Sequence, residues 1–78
     1  MKLTLCSLTT DDQVTTYLLL NGHRPPLEAA NICCRLGMIA TTGDFRSMPV
    51  PEDMEALYTP FVDRIMTAGE FEAIEVQP

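Results

Sequence analysis

Residues 51–69 read PEDMEALYTPFVDRIMTAG, and the fold expected of the chain follows from how this stretch is arranged. Its apolar residues Met54, Leu57, Tyr58, Phe61, Val62 and Ile65 recur at i, i+3, i+4, i+7, i+8 and i+11. That spacing predicts an α-helix with one apolar side, and it leaves Glu52, Asp53, Glu55, Thr59, Asp63 and Arg64 on the other. Pro51 suits the first helical position, where its missing N–H is no loss, and the acids behind it favour the positive end of the helix dipole. Gly69 is the expected C-terminal stop. Pro60 lies inside the pattern, so the helix either kinks there or restarts with Thr59 as N-cap.

Beyond this helix, residues 70–76, EFEAIEV, have strand composition. Phe71/Ala73 and Ile74/Val76 then fall on opposite faces, so either a bulge shifts the register or both faces are partly covered. The simplest partner is KLTLCSL at residues 2–8, where Leu3 and Leu5 alternate with Lys2, Thr4 and Cys6. Before the helix, Met48-Pro49-Val50-Pro51 is a rigid lead. Residues 38–48, MIATTGDFRSM, read either as a hairpin turning at Gly43-Asp44, with glycine at positive φ, or as an irregular loop.

Further toward the N-terminus a helix is expected to start near Pro26, with Ala29, Ile32, Cys33 and Leu36 on its buried face and Gly37 as C′ residue. His23-Arg24-Pro25-Pro26 is a stiff connector. Thr10 and Gln13 match a capping box, with Asp11 and Asp12 in the first turn, and so predict another helix over 11–21. Val14, Tyr17, Leu18, Leu19 and Leu20 would supply its buried side, and Asn21-Gly22 would end it. The expected fold is α+β, one domain over residues 1–78, with three helices and a small sheet from the N- and C-terminal strands.

The charge is asymmetric. The net charge is −6. Up to Val50, Asp11, Asp12, Glu28 and Asp44 balance Lys2, Arg24, Arg35 and Arg46. From Pro51 onward, Glu52, Asp53, Glu55, Asp63, Glu70, Glu72 and Glu75 face Arg64 alone. These seven acids are the candidate partner-binding residues. A field of this sign repels phosphate and attracts basic protein surface, so direct nucleic-acid binding is not expected. The plainer reading is a solvated face that keeps a small protein in solution.

No catalytic, cofactor or metal constellation stands out. Cys33 and Cys34 are adjacent, Cys6 is remote, and His23 is the only histidine. Adjacent helical side chains diverge by about 100°, which disfavours a shared ion, and there is no zinc spacing. An odd cysteine count fits reduced thiols in a cytoplasm. The start, MKLTLCSLTT, lacks a secretory apolar region, and no run approaches the ~18 apolar residues of a membrane span. The chain is expected to be a cytoplasmic non-enzyme. Its Met-rich apolar inventory (Met38, Met48, Met54, Met66) suggests apolar surface left for a partner or a second copy, hence a homodimer or larger.

The segment VTTYLLLNGHRPPLEAANICCRLGM, residues 14–38, resembles the first two helices of winged and other helix-turn-helix domains. The resemblance is carried by the Asn-Gly stretch and by Cys33, Leu36, Gly37 and Met38 in a small-x-x-Leu-Gly-Met closure. It implies a DNA-binding regulator. The residues that follow offer one base, Arg46, where a recognition helix reads bases with several polar and basic side chains. Small, acidic and Met-initiated, the chain also resembles prophage-encoded regulators and inhibitors, which implies a bacterial host. The favoured expectation is a regulatory protein that inhibits or modulates another protein bearing a basic surface, in the manner of an antirepressor. DNA binding and a role as a small adaptor subunit are the alternatives.

Overall fold

The computed structural model describes residues 2–38 and 43–75, the side chain of Glu75 excepted. At its centre lies an antiparallel sheet of β1 (Leu3–Thr9), β2 (Thr15–Asn21), β3 (Asp44–Pro49) and β4 (Met66–Thr67), in the order β3-β1-β2-β4. The helices α1 (Pro26–Arg35), α2 (Glu55–Tyr58) and α3 (Ala68–Glu75) complete the expected α+β composition. Strands from near both ends of the chain enter the sheet. No helix among the described residues is long and apolar enough to cross a membrane.

The strand order dictates the layers. Because β1 lies between β2 and β3, the chain must cross β1 to pass from β2 to β3, and α1 makes that crossing over one face. The return from β3 to β4 crosses the opposite face through α2. Strand alternation divides the core accordingly. Cys6, Leu8, Leu18 and Leu20 pack with Ala29, Cys33 and Met38 on the α1 face. Leu3 and Leu19 pack with Val50, Tyr58, Met66, Phe71 and Ile74 on the C-terminal face.

This double burial explains the first correction. Residues 15–21 form a strand, not the expected helix over 11–21. Leu18, Leu19 and Leu20 are all buried because consecutive residues of β2 face opposite covered layers. A continuous apolar run of that length fits a two-sided strand as well as a helix. Thr10 and Gln13 close the β1–β2 hairpin in place of a capping box. The Gln13 N–H donates to the Thr10 carbonyl at 3.0 Å, and the Thr10 N–H to the Val14 carbonyl at 2.9 Å. Gln13 takes φ 66°, the left-handed position after such a turn. Thr and Asp favour hairpin turns and N-caps for the same hydrogen-bonding reason.

The long helix over 51–69 is replaced by a broken path. A 3-10 turn at Glu52–Met54 leads into α2, and a second at Thr59–Phe61 carries Pro60 in its opening positions. Val62 is then extended, Asp63 turns at φ 65°, and the Asp63 N–H donates to the Leu19 carbonyl at 2.9 Å. Proline can open a helical turn but cannot continue one. Met54, Leu57, Tyr58, Phe61 and Val62 nevertheless all pack against the C-terminal-face core. Ile65, beyond the break, is 43% exposed.

Residues 70–76 were expected as a strand paired with β1, and Gly69 as a helix stop. Instead Gly69 lies in the first turn of α3, and β4 pairs with β2. The Glu70 N–H donates to the Thr67 hydroxyl at 3.2 Å, and the Thr67 N–H to the Glu70 carboxylate at 3.1 Å. This is a capping box spelled Thr67-Ala68-Gly69-Glu70. Phe71 and Ile74, three apart, both face the core.

The helix expected from Pro26 is α1, and it ends on Gly37 at φ 90°. Gly37 and Met38 N–H groups donate back to the Cys34 and Cys33 carbonyls, each at 3.0 Å, as in a Schellman closure. The stretch resembling a helix pair, residues 14–38, is therefore strand β2 followed by α1. The hairpin reading of 38–48 needs a first arm in residues 39–42, which lie outside the described residues; its second arm is β3, paired with β1. Gly43 is not at positive φ. A Cβ there would meet the Thr9 carbonyl oxygen at 2.9 Å, so glycine allows β3 to close on β1.

Candidate functional site

The C-terminal face of the sheet is covered on one side and open toward β3. Leu3, Leu19 and Met66 lie beneath α2 and α3. On the open side, Ser7, Arg46 and Met48 follow in register, with Ser7 opposite both Tyr17 and Arg46, and Leu5 opposite Met48. Two adjoining hollows open there. One, of ≈ 330 Å³, is lined by Leu5, Ser7, Tyr17, Arg46, Ser47 and Met48. The other, of ≈ 270 Å³, shares Leu5 and Met48 and continues along Pro49, Pro51, Met54, Tyr58 and Phe71. Together they form a groove with an apolar floor between the β3 edge and the α2 layer.

Aromatic stacking fixes the inner wall. The Phe71 ring stacks on Tyr17 with centroids 4.4 Å apart and on Tyr58 at 5.5 Å, at interplanar angles of 15° and 22°. Offset contacts of this kind hold α3 to β2 and to α2 at once. The outer rim is mobile in chemistry instead of fixed: Met48 is 53% exposed, on an unbranched side chain that adapts to what it meets. At the polar end Arg46 pairs with Asp44, Nε to Oδ2 at 3.1 Å, with both side chains in water.

The acids singled out from the sequence are dispersed around the C-terminal layer. Asp53 is exposed on the first 3-10 turn, next to Met54 of the groove. Glu52 and half-buried Glu55 line a different hollow with Lys2, His23 and Val50. Asp63 occupies the left-handed turn beside β2. Glu70 is held in the α3 cap, and hydrogen bonds from Thr67 keep its carboxyl below the usual carboxylate range. Glu72 is exposed on α3, and the Glu75 side chain lies outside the described residues.

The groove residues Leu5, Tyr17 and Met48 were not singled out from the sequence as a set, because they come from three strands whose register decides their meeting. One signal existed: Met48 sits in an alternating segment with no apolar partner at Arg46, which marks a sheet face left partly open.

The thiols sit on the opposite face. Cys6 and Cys33 are buried together between β1 and α1, Cys34 is exposed, and none of the three is in a disulfide. Burial, with Cys33 alongside, pushes the Cys6 thiol up to about 12, and burial also raises Cys33. Thiols held protonated are poor nucleophiles and poor metal ligands. Among the described residues, no three His, Cys, Asp or Glu side chains come together as a metal site. Thr4, 1% exposed, donates its hydroxyl to the Gly22 carbonyl at 2.7 Å and accepts from the Arg24 N–H at 2.9 Å. It locks the His23–Pro26 connector onto β1 and is fully occupied in doing so.

No family of known proteins, no characterised protein and no solved structure matches the chain.

Proposed function

We propose that this chain is a non-enzymatic regulatory binder that acts by occupying another protein. The observation that carries this reading is the groove from Tyr17 and Leu5 to Met54 and Pro51, an apolar channel open to water on a sheet face otherwise packed. A concave apolar floor with a few polar groups at its rim is the form of site that takes a single apolar side chain. Exposed Asp53 follows the groove's Pro51 in the chain, with Glu52 lining the neighbouring hollow, so the partner segment that fits best inserts an apolar side chain and places Lys or Arg beside it. Charge of this kind speeds encounter and selects partners, whereas the apolar anchor holds them.

The test compares tagged wild type, Met48→Glu, and a Glu52→Lys/Asp53→Lys pair for proteins retained from the native host at low and moderate salt. A carboxylate at position 48 sits in water in the unbound protein and obstructs only an occupied groove, so circular dichroism should be unchanged. The expected result is a protein retained by the wild type, lost with Met48→Glu, and weakened by salt and by the charge reversal. Equal retention by all three proteins would refute the groove. Salt-sensitive retardation of mixed-sequence DNA by the wild type would move the reading to a DNA-binding regulator.

A further inference from the structure

Among the described residues, β3 is the terminal strand of the sheet on the side away from β2. Which of its backbone groups face outward follows from the register. Val50 lies in line with Leu3, and its N–H donates to the Leu3 carbonyl at 3.0 Å. In an antiparallel ladder the residues turned toward the neighbour alternate, so Met48, Arg46 and Asp44 also direct their backbone to β1. Ser47 and Phe45 therefore turn N–H and C=O away from the sheet. Pro49 is in the same outward phase but has no N–H, as edge prolines do.

We propose that this edge pairs antiparallel with β3 of a second copy, about a twofold axis at Phe45, joining the two four-stranded sheets into one. The sequence DFRSMP selects that register over its neighbours. With Phe45 opposite Phe45, each Asp44 lies opposite an Arg46, and both opposite-charge pairs fall on the same face. A register with Phe45 opposite Ser47 sets Arg46 against Arg46 and asks Pro49 for a donor that it lacks. One with Ser47 opposite Ser47 asks the same of both prolines. Cross-strand opposite charges stabilise a pairing and like charges oppose it. The Arg46–Asp44 bridge already formed within one chain, with both side chains exposed, supplies the groups without burying an unpaired charge. Isologous pairing of this kind closes on itself and leaves no edge for further growth on that side.

The axis stands perpendicular to the sheet, so the two C-terminal faces and their grooves point the same way. The pairing stands whatever the groove holds. If the groove does bind a partner, the dimer presents two sites to it at a fixed separation.

Sedimentation equilibrium or light scattering at about 50 μM reads the outcome. The wild type should show twice the 8.7 kDa chain mass. Ser47→Pro removes an outward donor not used in the β1 ladder and should give a monomer with an unchanged circular dichroism spectrum. Arg46→Asp places like charges across the axis twice and should weaken association about tenfold or more, whereas the swap Asp44→Arg/Arg46→Asp restores it. The charge variants decide the matter if Ser47→Pro fails to fold, because exposed surface charges leave the protomer intact. A monomeric wild type, a dimer that survives both changes, or a swap that does not restore association would each overturn the proposal.

Discussion

The two layers on the sheet solve the same problem with different economy. On the α1 face one regular helix, opened by Pro26 and closed on Gly37, covers Cys6, Leu8, Leu18 and Leu20 with Ala29 and Cys33. Small residues let it approach closely over these four strand residues, and a hollow of ≈ 310 Å³ opens beside the connector, among Thr4, His23, Arg24, Pro25 and Pro49. On the C-terminal face the chain covers its strands with two 3-10 turns, α2 of four residues and α3 of eight. Large aromatic side chains fill the wider gap there, and the layer stops short of the β3 edge. Four of the seven acids from Pro51 onward, Glu52, Asp53, Glu55 and Glu70, lie in the first turns of the short helical pieces of this layer, where their charge favours the N-terminal ends. The regular helix leaves a hollow lined largely by the polar connector; the broken layer leaves a groove lined by Leu5, Tyr17, Met48 and Met54.

The sharpest way to break this contrast is to remove the aromatic wedge. Phe71→Ala deletes both ring stacks and leaves a void between β2, α2 and α3. It should cost about 4 kcal/mol, a large part of the stability of so small a domain. Thermal or urea unfolding followed by far-UV circular dichroism measures it. A loss below about 1 kcal/mol would mean that α3 is not an integral part of the C-terminal layer.

Next comes the break at Pro60. In an uninterrupted helix Leu57 and Ile65 would share one buried stripe, and truncating either would cost similar amounts. In the structure Leu57 packs on the core, whereas Ile65 lies beyond the turn at Asp63, outside the core cluster and 43% exposed. Leu57→Ala should cost about 2 kcal/mol and Ile65→Ala less than about 0.5 kcal/mol. Equal costs would restore the straight helix.

The pair shows how much was legible in the sequence and where legibility ended. Apolar spacing identified Met54, Leu57, Tyr58, Phe61, Val62 and Ile65 as one buried side; Tyr58 is buried in the core, Met54, Leu57, Phe61 and Val62 are partly buried against it, and Ile65 is exposed. What spacing could not decide was the backbone path that buries them, because a proline-broken turn and a strand crossing can present the same residues. The helix α1 was readable because its start and stop agreed and Ala29 and Cys33 are buried with Ile32 against them, although Leu36, expected on the same face, is exposed. In β2 the run Leu18-Leu19-Leu20 was ambiguous by itself, since its meaning depends on a second layer formed by residues from Val50 to Ile74, far along the chain. The α3 helix was spelled out in Thr67-x-x-Glu70 and in the three-residue step from Phe71 to Ile74, but the β-like composition of EFEAIEV outweighed it. The groove was out of reach, as it is a property of register between strands distant in the chain.

The α1 layer can be probed through its thiols. With Cys6 and Cys33 buried and protonated and Cys34 exposed, brief alkylation at pH 8 should label Cys34 alone, and all three only in denaturant. Peptide mass mapping reads this directly. The Cys6 thiol has its proton affinity raised by folding. Its stabilising contribution is therefore complete below the unfolded value of 9.0 and is lost as pH rises toward about 12. Unfolding midpoints should fall over that alkaline range, and they should fall less in Cys6→Ala. Labelling of Cys6 at the rate of Cys34 would show that the α1 face opens as readily as the other.

The smallest effect sharpens the comparison at the start of α3. Thr67 and Glu70 satisfy each other's backbone N–H groups, so Thr67→Ala should cost about 1 kcal/mol, the usual loss when a capping side chain is removed. The pH dependence gives the sign. The hydrogen bonds from Thr67, with Arg64 nearby, favour the charged form of Glu70 and depress its proton affinity on folding. Above the ordinary glutamate value of 4.5 that stabilisation is fully present, and it fades as pH falls through the lower folded value. Glu70→Gln keeps an acceptor for the Thr67 N–H but cannot titrate. The wild type should therefore lose its advantage over Glu70→Gln as pH falls below 4.5 and the carboxylate takes up its proton. Far-UV melts at pH 7 and pH 3 test it, with Glu72→Gln as the control on the same helix. An equal acid response in both variants would mean that the carboxylate is a solvated surface charge and that α3 is held by Phe71 and Ile74 alone.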